Sequence, residues 1–253
     1  MSEKDQFYSK FLPFYDKLIS YENRKKRETP FWRKLFDKYH IRDAHDCSCG
    51  TGHHLLLFHE LGICCSGSDL SEDMIHVARK KCKERNLKCN IFQADFRKLE
   101  SFIRSPVDLI VNLGNSLAHL SNEVDILNHL NGCYKSLSSK GILVIDTRNY
   151  DYLLKEKPRF IPLSFREDHG FIYVLDYLKE SIKFNILFFD LKNKDFQTFS
   201  TIYYPILYKK LIDYLRESGF EVENQYGNYN FEEFDINTSS NLIIVTKPKS
   251  RFF

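Results

Sequence analysis

The segment from His45 to Gly62, His-Asp-Cys-Ser-Cys-Gly-Thr-Gly-His-His-Leu-Leu-Leu-Phe-His-Glu-Leu-Gly, reads as a strand, a tight turn and a helix in immediate succession. Gly50 and Gly52 let the backbone bend sharply and approach a ligand, and a helix opening near His53 offers unpaired N–H groups to an anion. A unit of this kind directs the chain to an α/β architecture with a nucleotide-like ligand at the turn.

Which ligand follows from what the loop lacks. A dinucleotide loop has a third glycine, spaced G-x-G-x-x-G, that seats the following helix close to the pyrophosphate. Leu55 occupies that position. A P-loop needs Gly-Lys-Ser/Thr after a longer spacing, and here Gly52 precedes His53 and His54. What remains is a nucleoside carrying a modest anionic group. In this respect Asp46-x-x-x-Gly50-x-Gly52 resembles the first motif of class I S-adenosylmethionine-dependent methyltransferases, and that resemblance implies S-adenosyl-L-methionine as cofactor.

The next two units repeat the rhythm. Gly62 can stop the helix in the left-handed conformation, and Ile63 to Asp69 reads as a buried second strand that ends in a carboxylate. Asp69, 23 positions beyond Asp46, can accept both hydroxyl protons of a ribose; a solvated turn aspartate is the alternative. Ser71 is a helix cap, with Glu72 and Asp73 in the positive first turn and Ile75, Ala78 and Cys82 on the core face. Asn90 to Phe96 reads as a third strand running into Asp95-Phe96, a pair able to bond an adenine amino group and cover the ring edge.

Further along, Val107 to Asn112 is a fourth strand, Asn122 to Leu137 a helix and Gly141 to Asp146 a fifth strand, which predicts a parallel sheet with right-handed crossovers. Then Phe171 to Leu178, Ile182 to Leu191 and Phe196 to Tyr204 follow one another without helices, as an antiparallel meander does. Lys209 to Ser218 returns to helix, and Glu221 to Tyr226 with Leu242 to Thr246 forms a closing hairpin. The expected fold is α/β: a Rossmann-like, seven-stranded, mostly parallel sheet with helices on both faces, plus an inserted antiparallel β-meander cap. One domain over 1–253 is expected, divided into an N-terminal helical lid (1–40), a cofactor-binding core (41–150), the cap (151–206), and a C-terminal helix with closing strands (207–253). With 43% hydrophobic residues in 253, one substantial core suffices.

Composition narrows the partners. Lys and Arg number 37 against 34 acidic residues, a balance of +3 that gives no electrostatic reason for a nucleic-acid partner. The basic clusters at Arg24 to Arg27 and Arg79 to Arg85 fall on amphipathic helices and read as solvated faces. Seven cysteines, an odd number without the two-residue gap of a zinc knuckle, fit a reducing compartment, so the cytoplasm is expected and no metal site is. No stretch approaches the roughly 20 apolar residues of a membrane helix, and the start lacks the apolar run of a signal peptide.

In an open α/β sheet the substrate meets the residues after the strands' carboxyl ends. Strand four continues as Leu113-Gly114-Asn115-Ser116-Leu117-Ala118-His119-Leu120, and strand five as Ile145-Asp146-Thr147-Arg148-Asn149-Tyr150-Asp151. The Asn/Asp-Pro-Pro-aromatic tetrapeptide of base-amine methyltransferases is missing after strand four, which counts against nucleic-acid bases. These two motifs, with Cys49-Gly50-Thr51-Gly52, resemble those of glycine N-methyltransferase and the related glycine/sarcosine methyltransferases, over roughly Asp46 to Leu154.

That resemblance implies that Ser48, Asp69, Met74, Asp95, Phe96, Leu113 and His119, with the turn at Gly50 and Gly52, line the cofactor. It implies that Asn115 and Arg148 hold an amino-acid substrate. From the aromatic, basic N-terminal region it carries over Tyr15 and Arg27, reaching toward the methionine end. An Arg fork suits a carboxylate, and methyl transfer from a sulfonium is an in-line displacement that needs alignment more than a strong base.

Each residue also has a plainer reading: Met74 as core filler, His119 as a packed ring, Arg148 paired to Asp146 or Asp151, Asn115 as a turn cap, and the N-terminal aromatics as a helix packed on the sheet. The chain departs from the family after strand five, where 157–166 carry Phe in place of hydroxyl-bearing rings together with Arg159 and Arg166. The acceptor is therefore open to a larger or more anionic amine or another small acid; Tyr226, Tyr229 and Phe231 could supply rings around a methylated ammonium, although with 15% aromatic residues ordinary packing is the safer reading. A methyltransferase for RNA or protein, and a cofactor-binding module without catalysis, are the competing functions.

Overall fold

A computed structural model describes residues 3–249. Residues 1–2 and 250–253, which the single-domain expectation includes, lie outside the described residues. The chain opens with two helices, α1 (Glu3–Leu18) and α2 (Tyr21–Tyr39). Ser20 separates them in an extended conformation, its hydroxyl accepting from the Asn23 N–H, and His40 stops α2 with a left-handed φ of 53°. Then come β1 (Asp43–Asp46), α3 (His53–Glu60), β2 (Cys64–Asp69), α4 (Glu72–Glu84), β3 (Asn90–Gln93), β4 (Val107–Asn112), α5 (Glu123–Ser136) and β5 (Leu137–Arg148). This is the strand–helix alternation expected from the sequence.

The strands form a seven-stranded sheet in the order β10-β11-β5-β4-β1-β2-β3. β3, β2, β1, β4 and β5 run parallel; β10 (Phe220–Tyr226) and β11 (Asn241–Pro248) close the sheet as the antiparallel hairpin expected. Strand order reverses between β1 and β4, so a crevice opens there beyond the carboxyl ends of the strands. Both faces of the sheet are covered, which explains the unbroken apolar run Ile142-Leu143-Val144-Ile145. Ile142 and Val144 face α2, α3 and α4, in a core with Trp32, Leu56 and Phe58, whereas Leu143 and Ile145 face α5 and α7 (Tyr208–Glu217) with Leu130, Leu211 and Leu215.

After β5, the short helix α6 (Tyr150–Glu156) leads into a second, antiparallel sheet of β6 (Phe160–Phe165), β7 (His169–Tyr177), β8 (Ile182–Asp190) and β9 (Asp195–Tyr203). The sequence predicts three of these strands. β6 escapes it because Pro162 and a register shift between Pro162 and Ser164 blur its alternation, and both its ends, Phe160 and Phe165, stand exposed.

One face of this sheet turns its apolar residues toward the strand tips of the first. Phe171, Ile186, Phe188 and Phe199 pack on Phe7 and Phe11 of α1, and Leu175, Ile182 and Phe184 pack on Tyr150, Leu153 and Ala118. The N-terminal region therefore divides in two: α2 belongs to the main core through Phe31, Trp32, Leu35 and Phe36, while α1 lies under the second sheet. No described helix is long and apolar enough to cross a membrane.

Gly52 caps α3 with a φ of +84°, and a Cβ there would lie 3.1 Å from Ala78 Cβ and 3.3 Å from Ala78 Cα. Strain and collision coincide, so Gly52→Ala is expected to cost about 1–3 kcal/mol of stability. An unchanged urea-unfolding midpoint would show that α3 and α4 can part far enough to admit the methyl group.

Candidate active site

The crevice at the strand-order reversal is a cavity of about 940 Å³, roofed by α1 and the second sheet. That is the upper range of small-ligand sites. Its floor is the loop after β1. Gly50 takes a φ of +52°, its N–H donates to Asp69 Oδ2 at 2.8 Å, and the Ser71 N–H donates to Asp69 Oδ1 at 2.9 Å. The Asp69 carboxylate thus ties the loop after β1 to the start of α4, and each of its oxygens retains a further acceptor site. Burial pushes this carboxyl up to about 6, against the pull of the Ser71 and Gly50 N–H groups. Beside it Ser48 Oγ is shut off from solvent and has no hydrogen-bond partner among the described residues.

Tyr15, Met74, Phe96, Leu113 and His119 also line the cavity. A Cβ on Gly50 would sit 3.4 Å from the Tyr15 hydroxyl, so the bare glycine lets that ring close on the loop. Burial pushes Tyr15 up to about 12, which leaves it a neutral hydroxyl. Met74 is buried at the start of α4. His119 Nε2 lies 2.6 Å from the Tyr8 hydroxyl, and its ring centroid lies 4.8 Å from that of Tyr203. Phe96 stands edge-on to His129 at 4.6 Å, with His129 Nδ1 3.2 Å from the Phe96 carbonyl oxygen. Asp95 reaches the cavity, but Arg97 Nε contacts both its oxygens, at 3.0 and 2.8 Å. Burial opposes ionisation of Asp95, yet these bonds hold its carboxyl below the ordinary carboxylate range.

Three groups of candidate residues stand apart from the cavity lining. Arg27 points away: its side chain is 59% exposed, bonded to Glu28 Oε1 at 2.6 Å and lying over the Tyr229 ring. Arg24, one turn earlier, is the α2 arginine that lines the cavity. The buried positions of α2, Glu28, Phe31, Trp32 and Leu35, continue the helical spacing of Arg24, so the periodicity of the segment carried this signal.

Asn115, in the left-handed conformation with a φ of 67°, spends its amide on the protein itself. Nδ2 donates to the Tyr150 hydroxyl at 3.0 Å, and Oδ1 accepts from Thr147 Oγ1 at 3.0 Å and from the Arg148 N–H at 3.1 Å. It therefore ties the loop after β4 to the end of β5 instead of reaching into the cavity. Tyr226, Tyr229 and Phe231 cluster on Phe31, away from the cavity, and the Tyr229 hydroxyl donates to Asp146 at 2.9 Å.

Arg148 behaves otherwise. Among the described residues no carboxylate lies within 4.0 Å of it, so the ion pair to Asp146 or Asp151 does not form. Its half-buried guanidinium rests on two rings of the second sheet, 5.2 Å from the Tyr173 centroid and 5.1 Å from that of Phe184. Tyr173 and Tyr203 line the cavity beside it. These hydroxyl-bearing rings come from β7 and β9, whereas the sequence reading sought them in 157–166, where only phenylalanines stand.

Behind the loop lies a buried knot of charge. Glu28, 1% exposed, accepts from Trp32 Nε1 at 3.3 Å and lies 3.0 Å from His54 Nε2, while Arg24 Nη1 lies 2.7 Å from the same His54 nitrogen. Burial works against ionisation of Glu28, but His54 and Arg24 outweigh it and hold the carboxyl well below its usual range. His54 shifts upward, the loss of water and the Arg24 charge being outweighed by its bonds to Asp46 and Glu28. The knot fixes Arg24 with its guanidinium toward the cavity.

Comparison with known proteins agrees with this geometry. Residues 44–141 match the model of a methyltransferase domain. The chain is 26% identical over 229 residues to the glycine/sarcosine N-methyltransferase of Aphanothece halophytica, covering 89% of this chain and 84% of that protein. It is 27% identical to the protein of the same name from Parasynechococcus marenigrum, covering 89% and 79%. Among solved structures, an S-adenosylmethionine-dependent methyltransferase from Clostridium acetobutylicum superposes with a TM-score of 0.80 at 18% identity, covering 96% of this chain and 99% of that one. The CcbJ methyltransferase from Streptomyces caelestis superposes with a TM-score of 0.76 at 16% identity, covering 90% of each. The chain thus contains a methyltransferase domain over residues 44–141 and has the fold of S-adenosylmethionine-dependent methyltransferases, with the orphaned Ser48 hydroxyl and the open acceptor sites of Asp69 on the wall of the cavity at the strand-order reversal.

Proposed function

We propose that this enzyme methylates the amine of a small acid, glycine, sarcosine or a related amino acid, and that Arg148 receives the acceptor's carboxylate. The observation that carries the reading is the half-buried guanidinium of Arg148, resting on Tyr173 and Phe184 behind the cavity wall that Tyr173 lines, with no carboxylate partner among the described residues. A cation held on rings next to the cavity suits an anion, and its planar fork suits a carboxylate. The relatives named glycine/sarcosine N-methyltransferase support the same class.

In this reading Asp69 accepts the ribose hydroxyls; Gly50, Gly52, Ser48 and Tyr15 shape the loop side; and Met74, Asp95, Phe96, Leu113 and His119 surround the nucleoside. Arg24 takes the role carried over to Arg27 and faces the cofactor's carboxylate. Asn115 acts through Arg148, whose backbone it holds. S-adenosylmethionine supplies an electrophilic methyl on sulfur, open to in-line attack by an amine lone pair. What the protein contributes is alignment and dryness: Arg148 fixes one end of the acceptor, and the Tyr8, Tyr15, Tyr173 and Tyr203 rings exclude water from the other. Residues 1–253 then act as one domain, in which the second sheet is a cap and α1, more than the whole of 1–40, is the lid.

A labelled-methyl panel of glycine, sarcosine, dimethylglycine, larger and acidic amino acids, amino sugars and bulk tRNA tests the class. Labelling of tRNA alone would refute it, as would cofactor binding with no acceptor methylated. Arg148→Ala is expected to lower kcat/KM for the acceptor by about 30–150-fold, equivalent to about 2–3 kcal/mol, mostly through KM, with the cofactor's KM little changed; equal effects on both would remove the carboxylate role.

Asp69→Ala is expected to weaken cofactor affinity by about 1–3 kcal/mol in calorimetry. Because the ionised carboxylate accepts the hydroxyls, cofactor affinity should fall as pH drops through about 6, the value set by burial of Asp69. For stability the sign is reversed: a carboxyl raised above its unfolded value penalises the fold once ionised, so in the cofactor-free protein this group's contribution improves on acidification. In Asp69→Asn the binding inflection should vanish; its persistence would assign the titration to another group.

A further inference from the structure

Asp16, near the end of α1, is a residue that neither the motifs nor the comparisons single out. Its side chain is 46% exposed, yet it meets three donors that are mostly buried. Thr51 Oγ1 donates to Oδ1 at 2.9 Å, His53 Nε2 lies 3.1 Å from the same oxygen, and Lys81 Nζ lies 2.6 Å from Oδ2. Thr51 and His53 flank Gly52 in the cofactor loop, and both line the cavity. Lys81 belongs to α4, whose first turn is tied to the same loop through Asp69. Two turns earlier on α1, Ser9 bonds Asp73 of α4, and Tyr8 meets His119 at the far wall of the cavity. The helix that roofs the cavity is therefore joined to its floor by one carboxylate.

We propose that Asp16 is a positioning residue for the cofactor loop: it holds Thr51 and His53 in the conformation that S-adenosylmethionine meets, and so couples docking of α1 to cofactor affinity. The Gly50 N–H bond to Asp69 and the Gly52 N–H bond to the Cys49 carbonyl hold the backbone of the turn, and Asp16 holds its side chains. Gly50 and Gly52 both adopt left-handed φ values, and α3 has no side-chain cap at its N-terminus. Thr51 is 2% exposed and its hydroxyl donates outward to α1 alone. A single acceptor with three donors fixes geometry better than an isolated surface pair, whose worth is small. The inference rests on the cofactor and is independent of which acceptor is methylated.

The test is calorimetric titration of the full-length enzyme with S-adenosylhomocysteine, the demethylated cofactor, alongside melting curves and steady-state kinetics. Asp16→Ala and Thr51→Val are each expected to weaken binding about five- to tenfold and to raise the cofactor's KM while leaving the acceptor's KM within about twofold. Thr51→Ser, which restores the hydroxyl, should return affinity to near the wild-type value. The double variant should bind no worse than the weaker single one, because both remove the same contact. Lys81→Met, which removes the α4 partner and its 3.2 Å contact to His53 but leaves the Thr51 bond, should weaken binding less than Asp16→Ala.

A merely structural Asp16 would lower the melting temperature with affinity unchanged within about twofold, and that result overturns the proposal. Additive losses in the double variant overturn it as well. Should Asp16→Ala fail to fold, Thr51→Val and its serine counterpart decide the matter alone. Failure of the wild-type protein to bind S-adenosylhomocysteine would count against the cofactor assignment itself, a separate outcome.

Discussion

Two hydrogen bonds to one carboxylate organise the functional half of this molecule. Asp69 stands at the tip of β2 and accepts from the Gly50 N–H on one side and the Ser71 N–H on the other. Without that bridge the loop after β1 and the first turn of α4 would each present unpaired donors to a cavity that burial makes costly for bare polar groups. The bridge also leaves the carboxylate free to act as an acceptor at the cavity: its inner lone pairs serve the backbone, and its outer ones remain for a ligand. Desolvation raises the acid toward about 6, so the same placement that builds the loop leaves a group whose charge responds to mild acidification.

The parallel core was legible where β4 and β5 carry buried apolar runs, and elsewhere from the turn or cap that ends a strand, as after β1 and β2. Gly50, Gly52, Asp69 and Ser71 fall where their types require, and the hairpin of β10 and β11 follows from its two apolar runs. β6 was not legible, since a proline and a register shift break its period and both its ends face solvent. Nor was the division of the N-terminal region: one aromatic-rich stretch hides a helix, α2, that fills the main core with Trp32, and another, α1, that belongs to the cap.

Site residues followed the same rule. Asp69, on a short turn of the core, could be read from local pattern as a residue at the cavity because strand and turn fix its direction, whereas Ser48 was reached only through the family resemblance. Side chains that depend on long-range packing could not be read from local pattern. Arg24 and Arg27 lie three positions apart in a basic cluster, and only the inward stripe of Glu28, Phe31 and Trp32 decides between them. Tyr173 and Tyr203 enter the cavity through the pairing of β7, β8 and β9, a tertiary fact with no signature in either strand. Asn115 was legible as special but not in its purpose, because its amide closes on Tyr150, Thr147 and the Arg148 backbone.

That closure bears on how such an enzyme can change what it methylates. Arg148 is anchored by its backbone to the rigid parallel sheet, while the rings that frame its guanidinium belong to the inserted cap. In the proposed function, the charge that grips one end of a guest is a fixed post, and the wall that measures the guest's length is a separate, replaceable part. Acceptor range can drift through exchanges in β7, β8 and β9 without disturbing the methyl donor's seat, which divides the labour of the two sheets between chemistry and choice.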